Sequence, residues 1–205
     1  MLKNLTIDEY LDKTASGAPV PGGGSAAALN AALAAALTEM VARLTIGRKN
    51  FAEVDAEMRA AAEEASLLHK KMVAEIDRDA DAYAKVLAAF QLPKETPEQK
   101  TKRAQAIEDA LKGAALVPLG VAQAAVSLMD IARTVISLGN PNALSDGAAG
   151  LLAARMAARA ALFNVRINLA SIKDENFTVD LRMELDRLEA EAEKKEKEIL
   201  SLVKL

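Results

Sequence analysis

Apolar positions along this chain recur at intervals of three and four over long runs, the period of amphipathic helices, and no stretch shows the alternation that marks a strand. Breakers divide the runs into successive helical segments. The first starts near Thr6, where Thr6 and Glu9 have capping-box spacing, and gives way to a loop from Ser16 to Gly24. Ser25 is the expected N-cap of a second helix that runs to about Ile46 and stops at Gly47. A third spans about Phe51 to Phe90, with Pro93 and Pro97 bracketing the turn that follows. The fourth, about Glu98 to Leu138, contains Pro118 and is expected to kink or break there. After GNPNALSD, Ser145 or Asp146 caps a fifth helix to about Ile172, and a sixth runs from about Thr178 to Val203. Its charged stretch EAEAEKKEKEI reads as a solvated face. The expected fold class is all-α, an antiparallel bundle of long helices.

Composition sharpens this picture. A length of 205 residues suits one domain, residues 1–205, with a core that needs no disulfide or metal. Hydrophobic residues make up 51% of the chain but aromatics only 3%, so Ala, Leu, Val, Ile and Met must build the core. Ala-rich helices approach one another closely. With few aromatics they often need a partner to complete burial, so a homodimer is expected. The net charge is −3 with both signs interspersed, which argues against nucleic acid or an acidic membrane surface as partner. The absence of cysteine excludes thiolate chemistry, and the single His69 argues against a metal site. The most apolar run, Ala26 to Leu37, contains Asn30, is followed by Glu39 and Arg43, and falls short of a bilayer span. The start MLKNLTIDEYLDK lacks the pattern of a secretory signal, so a cytoplasmic location is expected.

Candidate chemistry sits in a few places. The stretch PVPGGGSAAAL sets Gly22, Gly23 and Gly24 directly before Ser25 and a helix start, where free N–H groups and the positive dipole end converge. It lacks the GK[ST] ending of a phosphate loop. Either the glycines form a flexible joint or they form a pocket wall, and Pro19 and Pro21 stiffen the segment against the first reading. In the third helix Asp79 falls on the apolar stripe of Met72, Ile76, Tyr83, Leu87 and Phe90, whereas Asp77 and Asp81 point away into solvent. A carboxylate on that stripe is either bonded to a neighbouring helix or lines a pocket, where desolvation would raise its pKa toward acid–base use. The turn GNPNALSDG concentrates Asn140, Asn142, Ser145 and Asp146, more polar groups than capping requires. Asn164 and Asn168 lie one turn apart on an apolar helix and bond either a neighbouring helix or a ligand. Lys49 follows Gly47 in a loop, a position open to a site role.

Four segments together resemble the formiminotetrahydrofolate cyclodeaminase and methenyltetrahydrofolate cyclohydrolase family: Pro19 to Asn50, DADAYAKVLAAFQLPK from Asp79, GNPNALSDGAAG from Gly139, and NVRINL from Asn164. They are spread across most of the chain, and the match is to a stand-alone cyclodeaminase domain. The resemblance implies an all-helical, dimeric enzyme acting on folate one-carbon units, with no cofactor beyond the tetrahydrofolate substrate. Carried over by motif position, Asp79 would be the proton-transfer group, with Tyr83 orienting it or the substrate, and Lys49 a donor or charge partner. Gly22, Gly23, Gly24 and Ser25, with Asn140, Asn142, Ser145 and Asp146, would bind substrate. Arg48, Arg103 or Arg155 would be placed to meet folate carboxylates. A non-catalytic folate-binding or scaffold bundle is the alternative that composition equally allows; the glycine triplet, Asp79 and the loop asparagines favour the enzyme.

Overall fold

A computed structural model describes residues 1–204, and among the described residues every regular element is helical. The α-helices are α1 (Ile7–Ala15), α2 (Gly23–Arg43), α3 (Asp55–Phe90), α4 (Pro97–Leu138), α5 (Leu144–Leu169) and α6 (Glu175–Leu200). α2 is the central helix, packed against α3, α5 and α4, while α6 lies outside on α4 and α5. Alanine explains the central position: Ala27, Ala28, Ala31, Ala34, Ala35 and Ala42 are all fully buried, so α2 is covered on several sides at short range. Three glycine contacts set α2 antiparallel to α5. Gly23 adjoins Asn164, Gly150 adjoins Ala34 and Leu37, and Gly147 adjoins Val41.

Several boundaries differ from the expectation. Ser25 is not the N-cap of α2. Gly22 holds that position without a side-chain bond, and Ser25 is inside the first turn. α2 ends at Arg43, and Gly47, with φ +73, turns the chain into a 3-10 segment, Lys49–Val54, ahead of α3. α5 begins at Leu144, so neither Ser145 nor Asp146 caps it. Asn140 instead caps the short 3-10 turn Pro141–Ala143 by accepting from the Asn142 N–H. The capping boxes Thr6–Glu9 and Thr96–Gln99 start α1 and α4.

Pro118 does not break α4, which is continuous across it. A proline removes the N–H that would bond the carbonyl four residues earlier, here that of Ala114. The Asn168 side-chain amide donates to this carbonyl at 2.9 Å, so α5 satisfies the group that the proline orphans. Asn168 therefore has the interhelical role that its position left open.

The expected apolar stripe of α3 is buried only in part. Met72 and Ile76 are buried, but Tyr83, Leu87 and Phe90 are exposed, because α2 begins beside Asp79 and nothing of it covers the face beyond. Asp81 is exposed as expected, whereas Asp77 lies under the N-terminal segment, accepting from the Leu2 N–H with Lys3 nearby. By length and hydropathy α2, α4 and α5 each suffice to cross a membrane, which corrects the reading that the α2 run is too short.

The charged end of α6 is more than a solvated face. Lys195 binds Asp130 of α4 at 2.6 Å, and the buried Arg155 of α5 binds Glu196 at 3.0 Å and Glu193 at 3.5 Å. Arg155 is thus engaged at α6 and does not reach the cleft described below. Arg155→Ala is expected to lower unfolding stability by about 2 kcal/mol, through lost packing and pairing, with little change in the folded protein's activity. Urea denaturation alongside an activity assay checks both.

Candidate active site

The glycine triplet forms a wall and not a joint, since Gly23 and Gly24 are the first helical residues of α2. Their purpose follows from what a side chain would meet. A Cβ on Gly24 would lie 2.0 Å from Asp79 Oδ1, and one on Gly23 would lie 3.1 Å from Asn164 Nδ2. Glycine therefore lets the Asp79 carboxyl rest directly on the positive end of α2.

Ser25 is fully buried behind this contact. Its Oγ lies 3.1 Å from Asp79 Oδ2 and 3.0 Å from the Ile76 carbonyl, and its single proton can serve only one of them at a time. With Asp79 ionised, the Ser25 hydroxyl and N–H both donate to the carboxylate. A protonated Asp79 can donate to Ser25 Oγ, which then donates to Ile76. Both protonation states are satisfied with hardly any movement. Burial pushes the Asp79 carboxyl above its ordinary 3.8, and the Ser25 bonds oppose that shift without cancelling it. Ser25 thus supports Asp79 and, being buried, presents no surface to substrate, contrary to the expectation of direct binding.

Asp79 opens into a cleft of about 290 Å³ between the α2 start, α3, α4 and α5, at the low end of the roughly 300–1,000 Å³ usual for ligand sites. Pro19, Val20, the three glycines, Ala82, Val86, Ala114, Asn164 and Asn168 line it, with Tyr83 and Ile167 at its rim. The Asn164 amide donates to Ala160 O at 2.8 Å, which leaves its Oδ1 free to accept. No cation is among the lining residues. Tyr10 of α1 was not singled out from the sequence, yet it is buried nearby with a hydroxyl that has no partner. Burial, and then the Asp79 charge, push its phenol up. An aromatic on the helix just before the glycines was the available signal.

The structure brings Gly22, Gly23, Gly24, Ser25, Asp79, Tyr83, Asn164 and Asn168 together, and places the other candidates elsewhere. Lys49, Asn140, Asn142, Ser145 and Asp146 gather at the opposite end of α2, roughly 30 Å away along a helix of 21 residues. There the Asn140 N–H donates to Thr45 Oγ1 at 2.9 Å, and its side chain reaches the Leu44 carbonyl. Asn140 is buried in that role, while Lys49, Asn142 and Ser145 are exposed. Arg48 lies at this far end too. Arg103 lies over Phe90 in a larger groove of about 840 Å³, farther along α3. In that groove Lys112 pairs with Asp174 at 2.6 Å and Arg103 donates to the Phe90 carbonyl. Among the described residues no group of three His, Asp or Glu is placed to hold a metal ion.

Comparison with known proteins agrees on one family. The sequence model described as Formiminotransferase-cyclodeaminase matches residues 6–187. A methenyltetrahydrofolate cyclohydrolase of Methylorubrum extorquens is 40% identical over 94% of this chain and 92% of that protein. The formimidoyltransferase-cyclodeaminase of Sus scrofa is 35% identical over 93% of this chain, which spans about a third of that protein, 35%. The crystal structure of formiminotetrahydrofolate cyclodeaminase from Thermotoga maritima superposes with a TM-score of 0.88, covering 99% of this chain and 98% of that one at 28% identity.

Proposed function

The chain belongs to the formiminotransferase-cyclodeaminase family, and from that premise we propose that it acts on the one-carbon bridge between N5 and N10 of tetrahydrofolate. It is a folate one-carbon enzyme, cyclising 5-formiminotetrahydrofolate with release of ammonia, hydrolysing 5,10-methenyltetrahydrofolate to the 10-formyl form, or doing both. The observation that carries this reading is the half-buried Asp79 carboxyl, its pKa raised by desolvation, held by a helix start in a small cleft without cations.

In hydrolysis, water attacks the bridging carbon and ionised Asp79 takes its proton. The tetrahedral carbon then loses its bond to N5 as Asp79 returns the proton to N5, and the hydroxyl releases its remaining proton to solvent as the formyl C=O forms. In cyclisation, N10 attacks the formimino carbon and passes its own proton to the imino nitrogen, and protonated Asp79 supplies the second proton with which ammonia departs, leaving the methenyl cation and ionised Asp79. Both reactions pass through one tetrahedral carbon, and both balance in protons alone, with no cofactor beyond the folate. The exchange with Ser25 described above lets Asp79 wait in either state. The backbone of Gly22 to Gly24 presents N–H groups at the cleft, Asn164 Oδ1 accepts from the edge of the ring, and Tyr83 closes the rim.

Purified protein is expected to remove the absorbance of methenyltetrahydrofolate in buffer, or to generate it from the formimino substrate. If it does neither, the chain is the non-catalytic scaffold instead. The two directions also differ in pH dependence. Hydrolysis needs ionised Asp79 and falls as pH drops through its raised pKa, whereas cyclisation needs the protonated form and falls as pH rises through it. We further assign the working unit as a homodimer, supported by the exposed apolar side chains along α2 and α5.

A further inference from the structure

Pro118 decides which way an amide in the cleft points. It leaves the Ala114 carbonyl without a helical donor, and Asn168 Nδ2 supplies one at 2.9 Å. Only the NH2 end of an amide can donate, so Asn168 Oδ1 must face away from that carbonyl. Asn168 is half-buried and lines the Asp79 cleft together with Ala114. Asn164 repeats the arrangement one turn earlier: its Nδ2 donates to the Ala160 carbonyl at 2.8 Å, and Gly23 lies against its amide. Neither Oδ1 is among the buried polar atoms that lack a partner, so both oxygens stay open to the cleft they line. Each asparagine thus spends its donor on backbone and leaves its acceptor free. With Asp79, three oxygen-bearing side chains face a cleft whose lining holds no cation.

We propose that Asn168 is a specificity-determining residue of this site, its Oδ1 accepting from the 2-amino group of the substrate's reduced pterin ring beside Asn164 Oδ1. Side chains four apart on a helix lie about 5–6 Å from each other, close to the separation of the 2-amino and N8 N–H groups that flank N1 of a tetrahydropterin. Asn164 adjoins Gly23, next to the Gly24–Asp79 contact, and takes the N8 N–H. Asn168, one turn farther from that contact, takes the 2-amino group. Asp79 belongs to α3, across the cleft from α5, and so faces the N5 side where its proton is used. The same wall of acceptors suits the positive charge of the methenyl bridge, whereas an anion such as phosphate would find no cationic partner on it. Pro118 fits this picture as a positioning residue: by orphaning one carbonyl it fixes the flip of the amide that reads the ring.

This inference rests on the folate reading above, and Pro118→Ala separates the two roles of Asn168. With Ala at position 118 a helical N–H returns to the Ala114 carbonyl, so the structural need for the Asn168 amide disappears. Pro118→Ala alone is expected to hold or raise the urea midpoint and to keep activity within about 3-fold of wild type. In that background Asn168→Ala is expected to leave the urea midpoint unchanged yet raise KM for methenyltetrahydrofolate about 10-fold, with kcat changed by less than about 3-fold, the pattern of a lost binding contact. Competition binding gives a second readout. The Pro118→Ala protein should bind tetrahydrofolate about 10-fold tighter than its 2-desamino analogue, and adding Asn168→Ala should bring the two ligands within about 2-fold. A KM penalty for Asn168→Ala that appears only when Pro118 is present overturns the proposal, as does an unchanged KM in both backgrounds. Discrimination against the desamino ligand that survives Asn168→Ala overturns it too. A wild type that neither binds tetrahydrofolate nor turns over either substrate overturns the folate reading and this assignment with it, whereas normal folate turnover that is indifferent to Asn168 overturns this assignment alone.

Discussion

Asp79→Asn is expected to lower turnover of methenyltetrahydrofolate about 1,000-fold with little change in KM, the scale of losing a general acid–base group. The same change is expected to make the protein more stable at neutral pH. Burial raises the folded-state pKa of Asp79 above the unfolded value near 3.8. The contribution of such a group is therefore fully favourable below about 3.8 and is lost as pH rises through the folded pKa, where a charge must be held in a desolvated site. The Tm of Asp79→Asn minus that of wild type should consequently grow as pH rises from about 4 and then level off. A flat difference across that range, or near-normal turnover, would show that Asp79 is a structural carboxylate and not the proton carrier.

Gly24→Ala is expected to cost at least 100-fold in activity while the protein stays folded, although the added atom is one methyl group. That methyl would sit 2.0 Å from Asp79 Oδ1 and 2.5 Å from its Cγ, so the carboxyl must leave the start of α2. The strain is expected to cost about 1–3 kcal/mol of stability. Two readouts separate displacement of Asp79 from general damage. The pH–rate profile should lose the limb that Asp79 carries, and Gly24→Ala combined with Asp79→Asn should be scarcely worse than Asp79→Asn alone, because both remove one function. Additive losses would mean that Gly24 serves something else.

Much of this fold is legible along the chain. The period of three and four, the Thr6–Glu9 capping box and the proline and glycine breakers place the helices, because these signals act within one turn and need no knowledge of neighbours. Asp79 is legible too, as a carboxylate on an apolar stripe. The misreadings share one cause, which is that each depends on what another helix does. Pro118 looks like a break until Asn168 is seen to satisfy Ala114 O. Ser25 looks like a cap until its hydroxyl is found on Asp79 and Ile76. Tyr83, Leu87 and Phe90 look buried until α2 is seen to begin too late to cover them.

The sequence by itself determined the helices, the Ala-rich core and the residue types of the site, since helix periodicity and side-chain chemistry are local properties. Only the tertiary structure decided which candidates share a cleft. α2 runs unbroken from Gly23 to Arg43 and holds its two ends roughly 30 Å apart, so motifs near in sequence are kept separate while Gly24 and Asp79, 55 residues apart, touch.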